Sequence, residues 1–162
     1  MSLYSEIKEQ SVCLPRILEQ QREAVNELAA LIRKDRIRQI FLAARGTSDN
    51  AGRYANYLFG EKNGMLLTLA TPSLFTYYQK PPTLEGTLVM CISQSGKSPD
   101  IVSVLEEGKR QGCPTLALTN DVKSPLALCA NTTLDLCVGP ERAVAATKTY
   151  TAELILLAMI SA

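Results

Sequence analysis

The 162-residue sequence contains no histidine and no excess of charge of either sign, with 17 Lys+Arg against 16 Asp+Glu and a formal net charge of +1. Without histidine, the commonest acid–base group near neutral pH is missing, so proton transfer falls to carboxylates and lysines. The balanced charge leaves no electrostatic footprint for DNA, RNA or an anionic membrane, so a bound anion must be held by a local site. The five cysteines, Cys13, Cys91, Cys113, Cys129 and Cys137, form no C-x-x-C pair and no regular spacing. Three sit in apolar runs, where Cys behaves as a small hydrophobe. The N-terminus, with Glu6, Lys8 and Glu9, lacks the basic-then-apolar pattern of a signal peptide. The longest apolar stretch, at the C-terminus, is too short to span a bilayer. No metal, cofactor, nucleic-acid or membrane partner is expected, and a reducing cytoplasm is the expected compartment.

With 46% hydrophobic and 20% charged residues, the chain is composed as a globular domain with one well-buried core. Residues 1–34 form an N-terminal helical segment, helical from about Leu3 to Lys34 and expected to bend or break near Pro15. In residues 35–162, short apolar runs alternate with helical patterns. Strands are expected at Ile37–Ala44, Met65–Ala70, Thr87–Ile92, Thr115–Leu118 and Thr132–Val138. Helices are expected at Asp49–Glu61, from Pro99 to about Gln111, briefly from Ser124-Pro125, and over Ala143–Ser161. Thr71–Pro82 is ambiguous. Strands alternating with helices imply parallel pairing through right-handed crossovers, and continuous apolar strands imply a sheet covered on both faces. The expected fold class is α/β: a three-layer, doubly wound sheet of about five parallel strands flanked by helices, without internal repeats.

In such sheets ligands bind outside the carboxyl ends of the strands. Two loops there are rich in hydroxyls: Gly46-Thr47-Ser48-Asp49-Asn50 and Ser93-Gln94-Ser95-Gly96-Lys97-Ser98. Each stands at a helix N-terminus, where unpaired N–H groups and the macrodipole favour an anion. Simple helix capping is the plainer alternative. One cap needs one hydroxyl, however, and the second loop supplies three, so phosphate binding is the better reading. Cys91 to Ser98 lies one residue from the nucleotide-binding pattern G-x-x-x-x-G-K-[ST]. The leading glycine is replaced by Cys91 inside a strand, which argues against a triphosphate and leaves Lys97 as a solvated or rim residue. A third segment, Gly139 to Thr151, opens the last helix; Glu141 and Arg142 sit by the ligand end of the sheet, and Val144-Ala145-Ala146 could bring backbone N–H groups to a substrate.

At these three segments the chain resembles the SIS (sugar isomerase) family, and within it the isomerase part of glucosamine-6-phosphate synthase and related sugar-phosphate isomerases and deaminases. Glu6-Ile7-Lys8-Glu9-Gln10 resembles that family's entry helix. The resemblance implies a flavodoxin-like fold and a phosphosugar of the hexose or aminohexose 6-phosphate class. It implies that Ser93, Gln94, Ser95 and Ser98 hold the phosphate, that Thr47 and Ser48 contact the sugar or its phosphate, and that Val144 and Ala145 offer backbone contacts. Ala146 and Lys97 depart from the synthase pattern, which has Ser and Glu there, and lean toward a deaminase or isomerase relative.

The resemblance also implies that residues 1–162 are the first of two SIS domains, completed by a second domain or by a homo-oligomer such as a dimer. The apolar helix Leu154–Ile160, with Glu153 as its nearby charge, is expected to be buried on all sides. Asp49, Asp121, Glu141 and Lys148 are the acid–base candidates near the strand ends, and Glu141 is the catalytic candidate. The chain is therefore expected to bind sugar phosphate and to be inactive alone, as part of a complete isomerase, aminotransferase or deaminase; a non-catalytic sugar-phosphate-sensing module is the alternative, and a single-domain isomerase completed by oligomerisation a third.

Overall fold

The computed structural model describes residues 3–162, so the first two positions of segment 1–34 lie outside the described residues. Five strands, β1 (Gln39–Ala44), β2 (Leu66–Leu69), β3 (Thr87–Ile92), β4 (Thr115–Thr119) and β5 (Thr132–Asp135), form one parallel sheet in the order β2-β1-β3-β4-β5. Seven helices accompany them: α1 (Leu3–Gln20), α2 (Arg22–Lys34), α3 (Thr47–Asn63), α4 (Ser73–Thr76), α5 (Pro99–Arg110), α6 (Pro125–Cys129) and α7 (Lys148–Ser161).

The two-sided cover follows from the strand sequences. Every residue of the central strand β3 is buried. Its alternating side chains feed two cores: Leu88, Met90 and Ile92 pack with Ile40 and Leu42 of β1 and with α1, α2, α3 and α7, while Val89 and Cys91 pack with Ile101, Val104 and Leu105 of α5 and Leu126 of α6. A strand buried on both faces has no need of polar alternation. None of the helices among the described residues is long and apolar enough to cross a membrane.

Three boundaries differ from the sequence-based expectation by more than two residues. Helix α1 runs through Pro15 and stops at Gln20. The break at Gln21 coincides with long-range bonds of that side chain, which accepts from Asp135 N at 3.2 Å and donates to Cys137 Sγ at 3.3 Å. Strand β5 ends at Asp135, because the Asp135 carboxylate takes the Cys137 N–H at 2.9 Å and Cys137 turns to φ 54°. Helix α7 starts at Lys148, five residues later than the apolar pattern indicates, because segment 139–147 is held in an irregular path by carboxylates. The ambiguous stretch after β2 contains only the short helix α4.

Candidate functional site

Strands β1 and β3 are sheet neighbours, and the chain leaves β1 toward β2 on one side and arrives at β3 on the other. This reversal opens a crevice beyond their carboxyl ends, the usual ligand position in a doubly wound sheet. A pocket of about 230 Å³ lies there, smaller than the roughly 300–1,000 Å³ of drug-sized ligand sites and suited to a small polar molecule. It is lined from the loop after β1 by Arg45, Thr47 and Ser48, and from β3 and the loop after it by Ile92, Ser93, Gln94, Ser95 and Ser98. Helix α5 adds Ile101, and the C-terminal segment adds Val144, Ala146, Thr149 and Glu153. Seven of the eight residues named from sequence as binding residues thus meet in one cavity; Ala145 is exposed and does not line it.

The loop after β3 is fixed from behind. Ser93 Oγ accepts from Gly96 N at 3.2 Å, and Ser95 Oγ accepts from Lys97 N at 3.3 Å. The Gln94 carbonyl accepts from Asn120 N at 3.0 Å and from Thr119 Oγ1 at 3.2 Å, and the Gly96 carbonyl accepts from Leu126 N at 3.1 Å. In both serine contacts the hydroxyl is the acceptor, which leaves its hydrogen to donate. Ser98 is the N-cap of α5, yet its side chain makes no capping bond, and no side chain caps α3 at Gly46. Capping therefore does not account for these hydroxyls. Among the lining residues Arg45 is the one cation; its Nε lies 2.6 Å from Asp100, and its side chain is mostly exposed at the rim.

The acid–base candidates named from sequence are engaged elsewhere, and none of them lines the pocket. Asp49 pairs with Arg53 at 3.3 Å, and Asp121 with Lys97 at 3.4 Å. Lys148, almost entirely buried, donates to Glu9 at 2.6 Å and to the Pro140 carbonyl at 2.9 Å. Glu141 accepts from Thr147 N at 3.0 Å, Thr147 Oγ1 at 3.1 Å and Thr149 N at 3.3 Å, and also from Thr149 Oγ1. From α1, buried Glu6 accepts from Arg142 N at 2.7 Å and Ala143 N at 3.1 Å. Together these carboxylates fold segment 140–149 over the pocket.

Glu153 is the charged lining residue on α7 that sequence reasoning passed over as a site residue; Arg45, Ile92, Ile101 and Thr149 were passed over too. Glu153 has 1% of its surface exposed. Ser48 Oγ donates to its Oε1 at 2.7 Å, while Oε2 is buried with no hydrogen-bond partner among the described residues. Burial pushes its carboxyl up to about 7, the Ser48 bond pulls it down and the nearby Glu141 charge adds to the rise. The available signal was a single acid inside an otherwise apolar helix, which a folded protein keeps only at a cost. No group of three or more His, Cys, Asp and Glu among the described residues is placed to hold a metal ion.

The SIS domain model matches residues 31–161. The chain belongs to the SIS domain family. It is 38% identical over 126 residues to glutamine–fructose-6-phosphate aminotransferase (isomerizing) of Methanosarcina mazei, covering 78% of this chain and 20% of that protein. It superposes on a crystal structure of a proposed phosphosugar isomerase from Silicibacter pomeroyi DSS-3 with a TM-score of 0.91 and 35% identity, covering 97% of this chain and 49% of that one. The NanR protein of Vibrio vulnificus, solved in complex with ManNAc-6P, shares the fold at a TM-score of 0.80 and 17% identity, covering 97% of this chain and 59% of that one. The SIS chain described here thus spans about a fifth of the synthase relative and about half of the isomerase one.

Proposed function

We propose that the pocket binds a phosphosugar of the hexose or aminohexose 6-phosphate class, and that the chain serves as the N-terminal SIS half of a glucosamine-6-phosphate synthase-like isomerase or deaminase. The observation that carries this reading is the convergence of Ser93, Ser95, Ser98 and Gln94, at the end of the central strand, with Thr47 and Ser48 in one pocket. Hydroxyl hydrogens at two helix N-termini, with Arg45 at the rim, make an anion site without need of net positive charge. The similar proteins point to the same class of ligand: a glutamine–fructose-6-phosphate aminotransferase, a proposed phosphosugar isomerase and a protein bound to ManNAc-6P.

The test is isothermal titration with fructose 6-phosphate and glucosamine 6-phosphate, with inorganic phosphate as reference. Both sugar phosphates should bind more tightly than phosphate alone. Replacing Ser93 and Ser95 together by Ala should lower affinity at least 100-fold, since each hydrogen bond to a charged group contributes about 1.5–3 kcal/mol. Heat no greater than that of free phosphate sinks the reading. The engagement of Glu141 by Thr147 and Thr149 favours a second reading, in which the chain binds without turning over, as a sensor does. Turnover of fructose 6-phosphate by the complete gene product separates the two.

A further inference from the structure

The contact between Ser48 and Glu153 joins the pocket to a group that the phosphate-binding loop does not use. The 2.7 Å separation fixes one hydrogen between Ser48 Oγ and Glu153 Oε1, but not which oxygen owns it. An ionised Glu153 can only accept, so the Ser48 hydrogen points at Glu153 and its lone pairs face the pocket. A neutral Glu153 can donate to Ser48 Oγ, which frees the Ser48 hydrogen for the ligand. Only the second arrangement attracts an anion.

We propose that Glu153 is a positioning acid, which as a neutral carboxyl donates to Ser48 and turns the Ser48 hydroxyl hydrogen onto the bound phosphosugar. The inference rests on the phosphosugar reading of the pocket. Geometry favours the neutral form in the complex. Glu153 is 1% exposed, its Oε2 has no donor among the described residues, and the ligand would bring a second negative charge into the same cavity.

The charged groups around Glu153 offer it no compensating cation. On α7 itself, Lys148 is spent on Glu9 and the Pro140 carbonyl. From α1, Glu6 is bound to the 142–143 backbone, and Lys8, Arg16 and Glu19 are exposed. On α3, Asp49 pairs with Arg53, and Glu61 with Lys62. On α2, Arg22, Glu23, Glu27, Arg33 and Lys34 are exposed. Arg45 sits on Asp100, and Glu141 adds negative charge.

The proton balance follows. Above about pH 7 the free protein holds Glu153 ionised. Binding then takes one proton from solvent onto Glu153, one hydrogen bond reverses direction, and no covalent bond to carbon or phosphorus changes. Below that pH the proton is already present and none is taken up.

The experiment is titration with fructose 6-phosphate at pH 6, 7 and 8 in pairs of buffers with different ionisation enthalpies. The phosphate group ionises near pH 6, so at pH 8 the ligand is a dianion and proton uptake belongs to the protein. Wild type should take up close to one proton at pH 8, and its affinity should fall up to about tenfold per pH unit above 7. Glu153→Gln keeps a neutral donor for Ser48; it should lose no affinity between pH 6 and pH 8, exceed wild type at pH 8, and take up no proton at pH 8. Binding by wild type at pH 8 without proton uptake overturns the inference and leaves the phosphosugar reading standing. So does a Glu153→Gln profile that follows wild type across the range. Absence of binding by both proteins at every pH overturns the phosphosugar reading, and this inference with it.

Discussion

Gly96 in the phosphate-loop candidate lies directly against Ser124, the N-cap of α6: a Cβ built on Gly96 would fall 2.0 Å from Ser124 Oγ and 2.9 Å from Thr119 Oγ1. Its φ of 61° is in the left-handed region as well. Gly96→Ala should therefore both strain the loop and push it off β4. It should cost about 2–4 kcal/mol of stability and displace Ser93 and Ser95 from the pocket. Gly60, exposed inside α3 with nothing near its missing Cβ, is the control. There, Gly60→Ala should be neutral or stabilise by about 0.5–1 kcal/mol. Chemical denaturation of both variants, with fructose 6-phosphate titration, checks the contrast. Equal behaviour would refute the loop's dependence on this contact.

The carboxylate of Glu6 receives two backbone N–H groups from a segment more than 130 residues away. Glu6→Ala leaves those two donors without their protein acceptor, and at exposed Arg142 and half-buried Ala143 solvent can take them up. The expected consequence is local: segment 140–147 should loosen before the domain unfolds. Limited trypsin digestion should cut after Arg142 markedly faster than in wild type, with the sheet still intact by circular dichroism. An unchanged cleavage rate would show that α1 does not hold this segment.

Lys148 carries its ammonium into the interior with 1% exposure, where Glu9 and the Pro140 carbonyl take it up. Glu9 itself retains about a third of its side-chain exposure, so solvent screens part of the pair. Lys148→Met should cost about 1–3 kcal/mol, less than breaking a wholly buried ion pair. Thermal melts at low and high salt would check it; a variant as stable as wild type would mean that the methionine side chain replaces the pair without loss.

The middle of the sheet was legible because β1, β3 and β4 are written as mainly apolar runs closed by hydroxyl or glycine turns. Thr87–Ile92 needed no tertiary information, since a strand covered on both faces announces itself by lacking polar positions. The hydroxyl loop after β3 was legible for a related reason: three serines exceed what one helix cap requires. The path of 139–147 was not, because Glu6 and Glu141 set it through bonds that no local periodicity encodes. Pro15 misled because the actual break at Gln21 is fixed by a glutamine reaching β5. Glu153 escaped because an acid in an apolar helix reads as a solitary charge until the fold brings Ser48 beside it.

The same buried acid makes a prediction that needs no ligand. Folding raises the Glu153 carboxyl from its ordinary 4.5 to about 7, so the folded protein holds this proton more tightly than the unfolded chain. Its contribution to stability is complete below about pH 4.5, declines as pH rises through the interval between those two values, and is gone above about 7. The shift corresponds to about 3 kcal/mol in order of magnitude. Glu153→Gln removes the titration and keeps the shape. The variant should match wild type near pH 5 and exceed it by about 1–3 kcal/mol at pH 8, read as the difference in urea midpoints at a common slope. A stability difference that stays constant from pH 5 to pH 8 would mean that Glu153 is ionised in the folded protein throughout, as it is in the unfolded chain, and that the Ser48 hydrogen points at it at every pH.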